Sequence, residues 1–185
     1  MVNTVNLGPL LGLIGKWRGE QGKDVAPEPD DVEKNDYYEE LEFRLIGEVE
    51  NALEQELVMV HYELVARRIS NDELLHHQTG YWTWDAKDNS ICNSFTIGRR
   101  VALIAMGSVQ QQGDALFFKV SADKGDSFPS IAESKFMADK ASTRSFSMEM
   151  TLSENQLSYS QVTLVDIYGQ KAFEHTDKNI LMRVN

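Results

Sequence analysis

The residue best suited to chemistry is His175, which lies in the sequence Phe-Glu-His-Thr-Asp at positions 173–177. A neutral imidazole is a good ligand for haem iron when one ring nitrogen is accessible and a partner orients the ring. The alternative is a polar histidine at the surface or in a hairpin, with Glu174 or Asp177 as its acidic neighbour. The residues themselves leave both interpretations open.

Three further histidines lie in the first half of the chain. His76 and His77 are adjacent, so in a strand they point to opposite faces and one metal ion cannot easily bind both. His61, from the preceding predicted strand, could add a second ligand and make a two-histidine site across a hairpin. Solvated strand residues are the alternative, and nothing in the spacing specifies a metal.

A pair of arginines, Arg99 and Arg100, follows Ser94–Ile97 at a predicted turn. Beside a pocket, such a pair would bind a carboxylate or a propionate group. Surface ion pairing is the other interpretation in so acidic a protein. The single cysteine, Cys92, has no CxxC partner and is expected to be an inert thiol. The sequence has no glycine-rich phosphate loop, HExxH motif or nucleophile elbow.

The composition excludes several classes of function. The 185 residues include 18 Lys and Arg against 29 Asp and Glu, which gives a net charge of −11. This charge argues against binding to nucleic acid or to an anionic membrane. One cysteine excludes an intramolecular disulfide and indicates a reducing compartment. No apolar run reaches the ~18 residues of a membrane helix. A signal peptide would have a basic residue before its apolar run, and none precedes Leu7–Gly15. We therefore expect a cytoplasmic protein.

The elements that must position these residues are mostly strands, because apolar and polar residues alternate along the chain. Clear examples of this alternation are Leu41–Leu45, Trp82–Trp84, Phe146–Leu152 and Ile180–Val184. Turn signals separate about nine or ten such runs. The pattern predicts one all-β domain over residues 1–185, either a sandwich or a closed barrel. A closed barrel of about ten strands has room for a ligand.

Three segments depart from the alternation. A short helical turn is predicted at Pro9–Ile14, where the proline suits the first turn. Glu20–Asn35 is acidic and contains prolines, which predicts a surface loop, and Ala122–Ser130 is a second predicted loop.

Trp17 lies between Gly15 and Gly19 in a GxWxG element that follows the helical turn and opens the first predicted strand. In small β-barrels a tryptophan at this place can close one end, and the glycines allow the backbone to cross closely. The alternative is an ordinary core tryptophan beside turn glycines.

Four segments occur along the chain in a characteristic order: Leu10–Gly22, Gly80–Asp85, Val101–Gly107 and Phe173–Arg183. In this order they resemble the nitrobindin-like family of haem-binding β-barrels. That family is also described as fatty-acid-binding-protein-like and includes the C-terminal domain of a human THAP protein. The resemblance implies a lipocalin-like, up-and-down antiparallel barrel of ten strands with a solvent-accessible haem b.

The same resemblance implies reversible binding of nitric oxide and isomerisation of peroxynitrite to nitrate. His175, the one histidine near the C-terminus, would be the axial ligand of the iron. From their own chemistry, and not from the resemblance, Arg99 and Arg100 are the further candidate cofactor-binding residues.

Three hypotheses of function result. The first is a haem-binding barrel that acts on reactive nitrogen species. The second is a non-enzymatic carrier of a small apolar or carboxylate-bearing ligand, and the third is a barrel with a filled interior that acts as an interaction module. The direction of His175 separates the first two, because an outward side chain would remove the candidate iron ligand. We expect a small-molecule partner and neither nucleic acid nor membrane, and homodimerisation is left open.

Overall fold

The computed structural model describes residues 6–125 and 130–184. Within them, ten long antiparallel strands form one closed barrel in up-and-down order, in which the last strand pairs with the first. This confirms the predicted ten-stranded barrel. The long strands are β1 (Gly15–Pro27), β2 (Val32–Asn51), β3 (Gln55–Arg68), β4 (Leu74–Asp85), β5 (Ser90–Ile97), β6 (Val101–Gln112), β7 (Ala115–Asp123), β9 (Ala141–Ser153), β10 (Gln156–Ile167) and β11 (Gln170–Val184).

Three short elements complete the part of the chain that the structure describes. A 3₁₀ helix, Gly8–Leu13, precedes β1, close to the predicted helical turn. The three-residue strand β8 (Ile131–Glu133) pairs with the beginning of β6. The helix α1 (Lys135–Lys140) connects β8 to β9 and begins at Ser134, whose side chain accepts a hydrogen bond from the Met137 amide. In residues 6–125 and 130–184, no helix has the length and apolar character needed to cross a membrane.

The 3₁₀ helix and Trp17 close one end of the barrel. Leu10 and Leu13 are fully buried and Trp17 is 1% exposed. The indole Nε1 donates to the Leu13 carbonyl at 2.8 Å, and the Arg183 guanidinium lies over the indole ring at 4.2 Å. Trp17 therefore closes the barrel, as the GxWxG element predicts.

The interior is apolar next to Trp17, whereas towards the other end polar and apolar side chains share it. The apolar core of leucine, valine and aromatic side chains extends from Trp17 to Val101 at the start of β6. Buried polar residues continue the interior along the same strands: Asp24, Asn35, Glu39, Gln78, Asn93, Thr143 and Asn179. We call the end opposite Trp17 the His175 end. Asp24, Asn35, Arg68, His76 and His175 mark it.

A β-bulge in β1 decides which of its side chains face this polar interior. Gly19 pairs with Glu39, whereas Gly22 pairs with Tyr37, so β1 contains one residue more than β2 over this stretch. The same shift occurs against β11. An extra residue reverses the alternation. Trp17 and Gly19 are therefore buried before the bulge, and Gly22 and Asp24 after it.

The prediction of a surface loop at Glu20–Asn35 is wrong. β1 continues to Pro27 and β2 begins at Val32, so only a tight turn separates them. The inward residues here are polar, for example Asp24 opposite Asn35, and the alternation of apolar residues is therefore missing. In the second predicted loop, Ala122–Ser130, the first two residues belong to β7, and residues 126–129 lie outside the described part of the chain.

Candidate functional site

His175 lies within β11 and faces the barrel interior. The pairing of β11 with β10 keeps one register from Glu174 to Met182, so His175 shares a face with the buried Asn179 and Leu181. Its side chain is 33% exposed. The inward direction, which the sequence left open, is the one that a ligand role requires.

Two aspartates flank the imidazole of His175. Its Nε2 donates to Asp24 Oδ1 at 2.7 Å and lies 3.8 Å from Asp177 Oδ2. Asp24 is on β1, directly opposite Asp177 on β11. One ligand atom from each of the three side chains lies within 4.8 Å of the others. The closure of the barrel therefore brings together residues from the two ends of the chain.

Amide side chains hold both carboxylates. Asn35 Nδ2 donates to Asp24 Oδ2 at 2.6 Å, and Gln161 Nε2 donates to Asp177 Oδ2 at 3.0 Å. Arg68 in turn donates to the Asn35 side-chain oxygen. These contacts fix the orientation of the carboxylates around His175.

Burial and charge act in opposite directions on this group. Burial alone would lower the pKa of His175, but the hydrogen bond to Asp24 and the charge of Asp177 outweigh it, so this pKa is raised. Burial would also raise the pKa of Asp24, but hydrogen bonds with His175 and Asn35 lower it overall. At Asp177 burial prevails and raises the pKa to about 6.

A second buried network surrounds Glu39, which is fully buried. Tyr159 donates to Glu39 Oε2 at 2.6 Å, and Asn179 Nδ2 donates to the same oxygen at 3.2 Å. The hydroxyl groups of Tyr37 and Tyr159 are 2.8 Å apart. The other oxygen, Glu39 Oε1, has no hydrogen-bond partner among the described residues. Burial raises the pKa of Glu39 to about 7.

His76, which the sequence gave only as a possible ligand of a two-histidine site across a hairpin, is a further member of the site. It lies on the inward face of β4, with Nε2 3.0 Å from Gln78 Oε1, and it interacts electrostatically with His175. Burial lowers the pKa of His76, which favours the neutral imidazole. His76 is two residues from Gln78 and six from Trp82, so all three side chains lie on one face of the strand. Because Gln78 and Trp82 are buried, this spacing indicates that His76 faces inward.

The two predicted arginines differ in their relation to His175. Both are exposed in the turn between β5 and β6. The charge of Arg99 acts on both His175 and His76, and its guanidinium donates to the Leu75 carbonyl at 3.5 Å. Arg100 has a positive φ of 65° and its carbonyl accepts from the Ser134 amide at 3.1 Å, so its backbone serves the turn.

The suggested two-histidine site across the β3–β4 hairpin does not form. His61 pairs with Tyr81 in the ladder, four residues from His77. His61 Nε2 is 2.9 Å from Thr79 Oγ1, and His77 Nε2 is 3.0 Å from Glu63 Oε1 on the outer wall. Cys92 is half-buried, and burial raises the pKa of its thiol, as expected for an inert cysteine.

Two surface depressions lie away from His175. One, of about 410 Å³, crosses the outer wall over β4, β5 and β6, next to Tyr81 and Ile104. The other is an acidic groove of about 430 Å³ beside the β2–β3 turn, with Glu50, Glu54 and Glu56 at its rim. Neither depression is lined by the residues that surround His175. The candidate site is therefore defined by the side chains around His175 and not by either depression.

Comparisons with known proteins agree with this architecture. Residues 6–183 match the family described as "THAP4-like, heme-binding beta-barrel domain". The crystal structure of Rv2717c from M. tuberculosis superposes with a TM-score of 0.73 at 20% identity, and the match covers 97% of this chain and 100% of that one. At this identity the similarity shows the fold. The search of curated proteins found no match.

Proposed function

The chain belongs to the family of THAP4-like, heme-binding β-barrel domains, and we propose on this basis that it binds haem at the His175 end of the barrel. His175 is the proposed axial ligand. The observation that carries the proposal is the inward direction of this side chain together with its hydrogen bond to Asp24.

The residues present fit an iron porphyrin. When the ring of His175 is neutral and its Nε2–H donates to Asp24, the lone pair of the other nitrogen is available for a metal. A carboxylate that accepts from a ligating histidine fixes its tautomer and raises its basicity. The 33% exposure of the side chain makes it reachable from outside the barrel.

Two other side chains, Arg99 and His76, support this proposal. Arg99 is the proposed partner of a haem propionate, because its positive charge affects the pKa of both His175 and His76. Arg100 belongs to the same turn and is the weaker candidate, because its positive φ and its bond to Ser134 suit a turn residue. His76 adds a second imidazole at this end, and burial lowers its pKa, which favours the neutral form.

Bound iron would supply a coordination position for a small ligand such as nitric oxide, as the family resemblance implies. The chain itself would supply the axial nitrogen and its orientation by Asp24. We propose nitric oxide binding and peroxynitrite isomerisation only as activities that would depend on the proposed haem. Carriage of another small ligand is the second candidate.

The test is a titration of the purified protein with haemin, followed by the Soret band. We expect the wild type to give a sharpened and shifted band, and His175→Ala to lose it, because it removes the proposed axial nitrogen. His77→Ala and His61→Ala are matched controls, since both side chains lie on or near the outer wall.

His76→Ala is a separate variant, because His76 lies at the His175 end. It should change the position of the band without abolishing binding. Equal binding of haemin by the wild type and His175→Ala, or no binding by either, would refute the proposal and leave the carrier hypothesis in first place.

A further inference from the structure

We infer that Asp24, His175 and Asp177 form a binding site for one divalent transition-metal ion, independent of any porphyrin. The site needs the barrel alone, so the inference goes beyond the proposed haem binding and does not rest on it.

The ligand atoms already converge. The Nε2 of His175 is 2.7 Å from Asp24 Oδ1 and 3.8 Å from Asp177 Oδ2. Zinc binds nitrogen and oxygen ligands at ~2.0–2.2 Å, which places ligands around one ion ~3–4 Å apart. One observed distance lies just below this range and the other lies within it, so an ion that replaces the shared proton requires only small side-chain movements.

Strand pairing and amide hydrogen bonds hold the three ligands in place. Asp24 and Asp177 are direct partners in the β1–β11 ladder, and His175 precedes Asp177 by two residues on the same face. Asn35 and Gln161 donate to the carboxylates at 2.6 and 3.0 Å. Contacts of this kind orient metal ligands and tune their affinity.

The charge balance favours a cation. Asp24 is 8% exposed, and the side chain of Asp177 is 19% exposed. Among the described residues, each forms an ion pair with His175 and with no lysine or arginine. Buried carboxylates are normally paired with cations or coordinate metals. One imidazole and two carboxylates suit zinc, cobalt(II), iron(II) or manganese(II), and the 33% exposure of His175 leaves the remaining positions open to water.

The experiment uses the full chain, purified without haem and treated with a chelator. Zinc binding is measured by calorimetry, and cobalt(II) binding by its visible absorption, which reports the coordination directly on the wild-type protein. We expect one ion per chain. Loss of an outer-sphere partner typically weakens metal binding 10–100-fold, so Asp177→Asn and His175→Ala, which remove ligands, should weaken it by at least ~10-fold.

The matched control is His77→Ala, which removes a histidine that faces a carboxylate, Glu63, at 3.0 Å on the outer wall. It should bind zinc like the wild type. Absence of one-to-one binding by the wild type would overturn the inference, as would equal binding by the wild type and by folded Asp177→Asn. If the wild type binds zinc at this site but does not bind haemin, the proposed function is refuted and the inference is supported.

Discussion

Glu39 should make the stability of the barrel depend on pH near neutrality, and Glu39→Gln should remove that dependence. The carboxyl group is fully buried inside the barrel. Burial is the largest cause that raises its pKa from 4.5 to about 7, against the hydrogen bonds from Tyr159 and Asn179. Glutamine keeps an oxygen for these two donors and cannot ionise, so it imitates the protonated acid.

The sign and size follow from linkage. The folded protein holds the Glu39 proton more tightly than the unfolded chain, so this contribution is complete below pH 4.5 and is lost as the pH rises through about 7. At ~1.4 kcal/mol per pKa unit, the difference between 4.5 and about 7 corresponds to about 3 kcal/mol. Above this window Glu39→Gln should therefore be more stable than the wild type by about 3 kcal/mol.

Urea denaturation followed by circular dichroism measures this effect at a series of pH values. The free-energy difference between Glu39→Gln and the wild type should be small below pH 4.5, grow between pH 4.5 and about 7, and level off above that. Glu40→Gln is the matched control, because Glu40 is the next residue and its exposed carboxylate pairs with Arg18. Its difference from the wild type should stay constant within ~1 kcal/mol. A constant difference for Glu39→Gln as well would show that Glu39 ionises normally and would refute the reasoning.

Three further predictions concern the barrel itself. Trp17→Ala should lower the free energy of unfolding by ~3–5 kcal/mol, because it removes a fully buried indole; an unchanged denaturation midpoint would contradict its role in closing the barrel. Gly107→Ala should destabilise the fold by at least ~1–3 kcal/mol, because its Cβ would lie 1.8 Å from the Lys119 carbonyl oxygen. Gly98→Ala, with open space around the Cβ, should leave the melting temperature nearly unchanged, and equal effects at both glycines would disprove the steric argument. Far-ultraviolet circular dichroism should show a dominant β signal, and a helix content near the ordinary third of globular proteins would contradict the barrel.

Much of the fold could be predicted from the sequence because most strands that carry the apolar core show a simple alternation of apolar and polar residues. Phe146–Leu152 and Trp82–Trp84 show the period of two, and both segments lie in strands as expected. The helical turn could be predicted from Pro9, and the role of Trp17 from the glycines on either side of it, and both elements pack against the apolar core. At Glu20–Asn35 the rule failed because the inward residues are polar, so the sequence resembles a loop although it forms strands.

The site was only half predictable, since it depends on contacts between distant strands. The inward direction of His175 could have been predicted, because residues alternate regularly between the two faces of the strand from His175 to Leu181. Its partner Asp24 is 151 residues away in the sequence, and no local pattern connects the two. Glu39 was equally hidden, because an acidic residue among other acidic residues of a strand gives no sign that it is buried.

The bulge in β1 determines which side chains of this strand lie beside His175. Before it, Arg18 pairs with Met182, and a regular ladder continued from there would place Asp24 opposite Thr176, with its side chain outside and Lys23 inside. The extra residue between Gly19 and Gly22 reverses this, so that Lys23 is exposed and Asp24 faces the interior opposite Asp177. One inserted residue thus replaces a lysine beside His175 with a carboxylate. Because a lysine there would repel both a metal ion and a protonated imidazole, the binding chemistry of the His175 end depends on this irregularity.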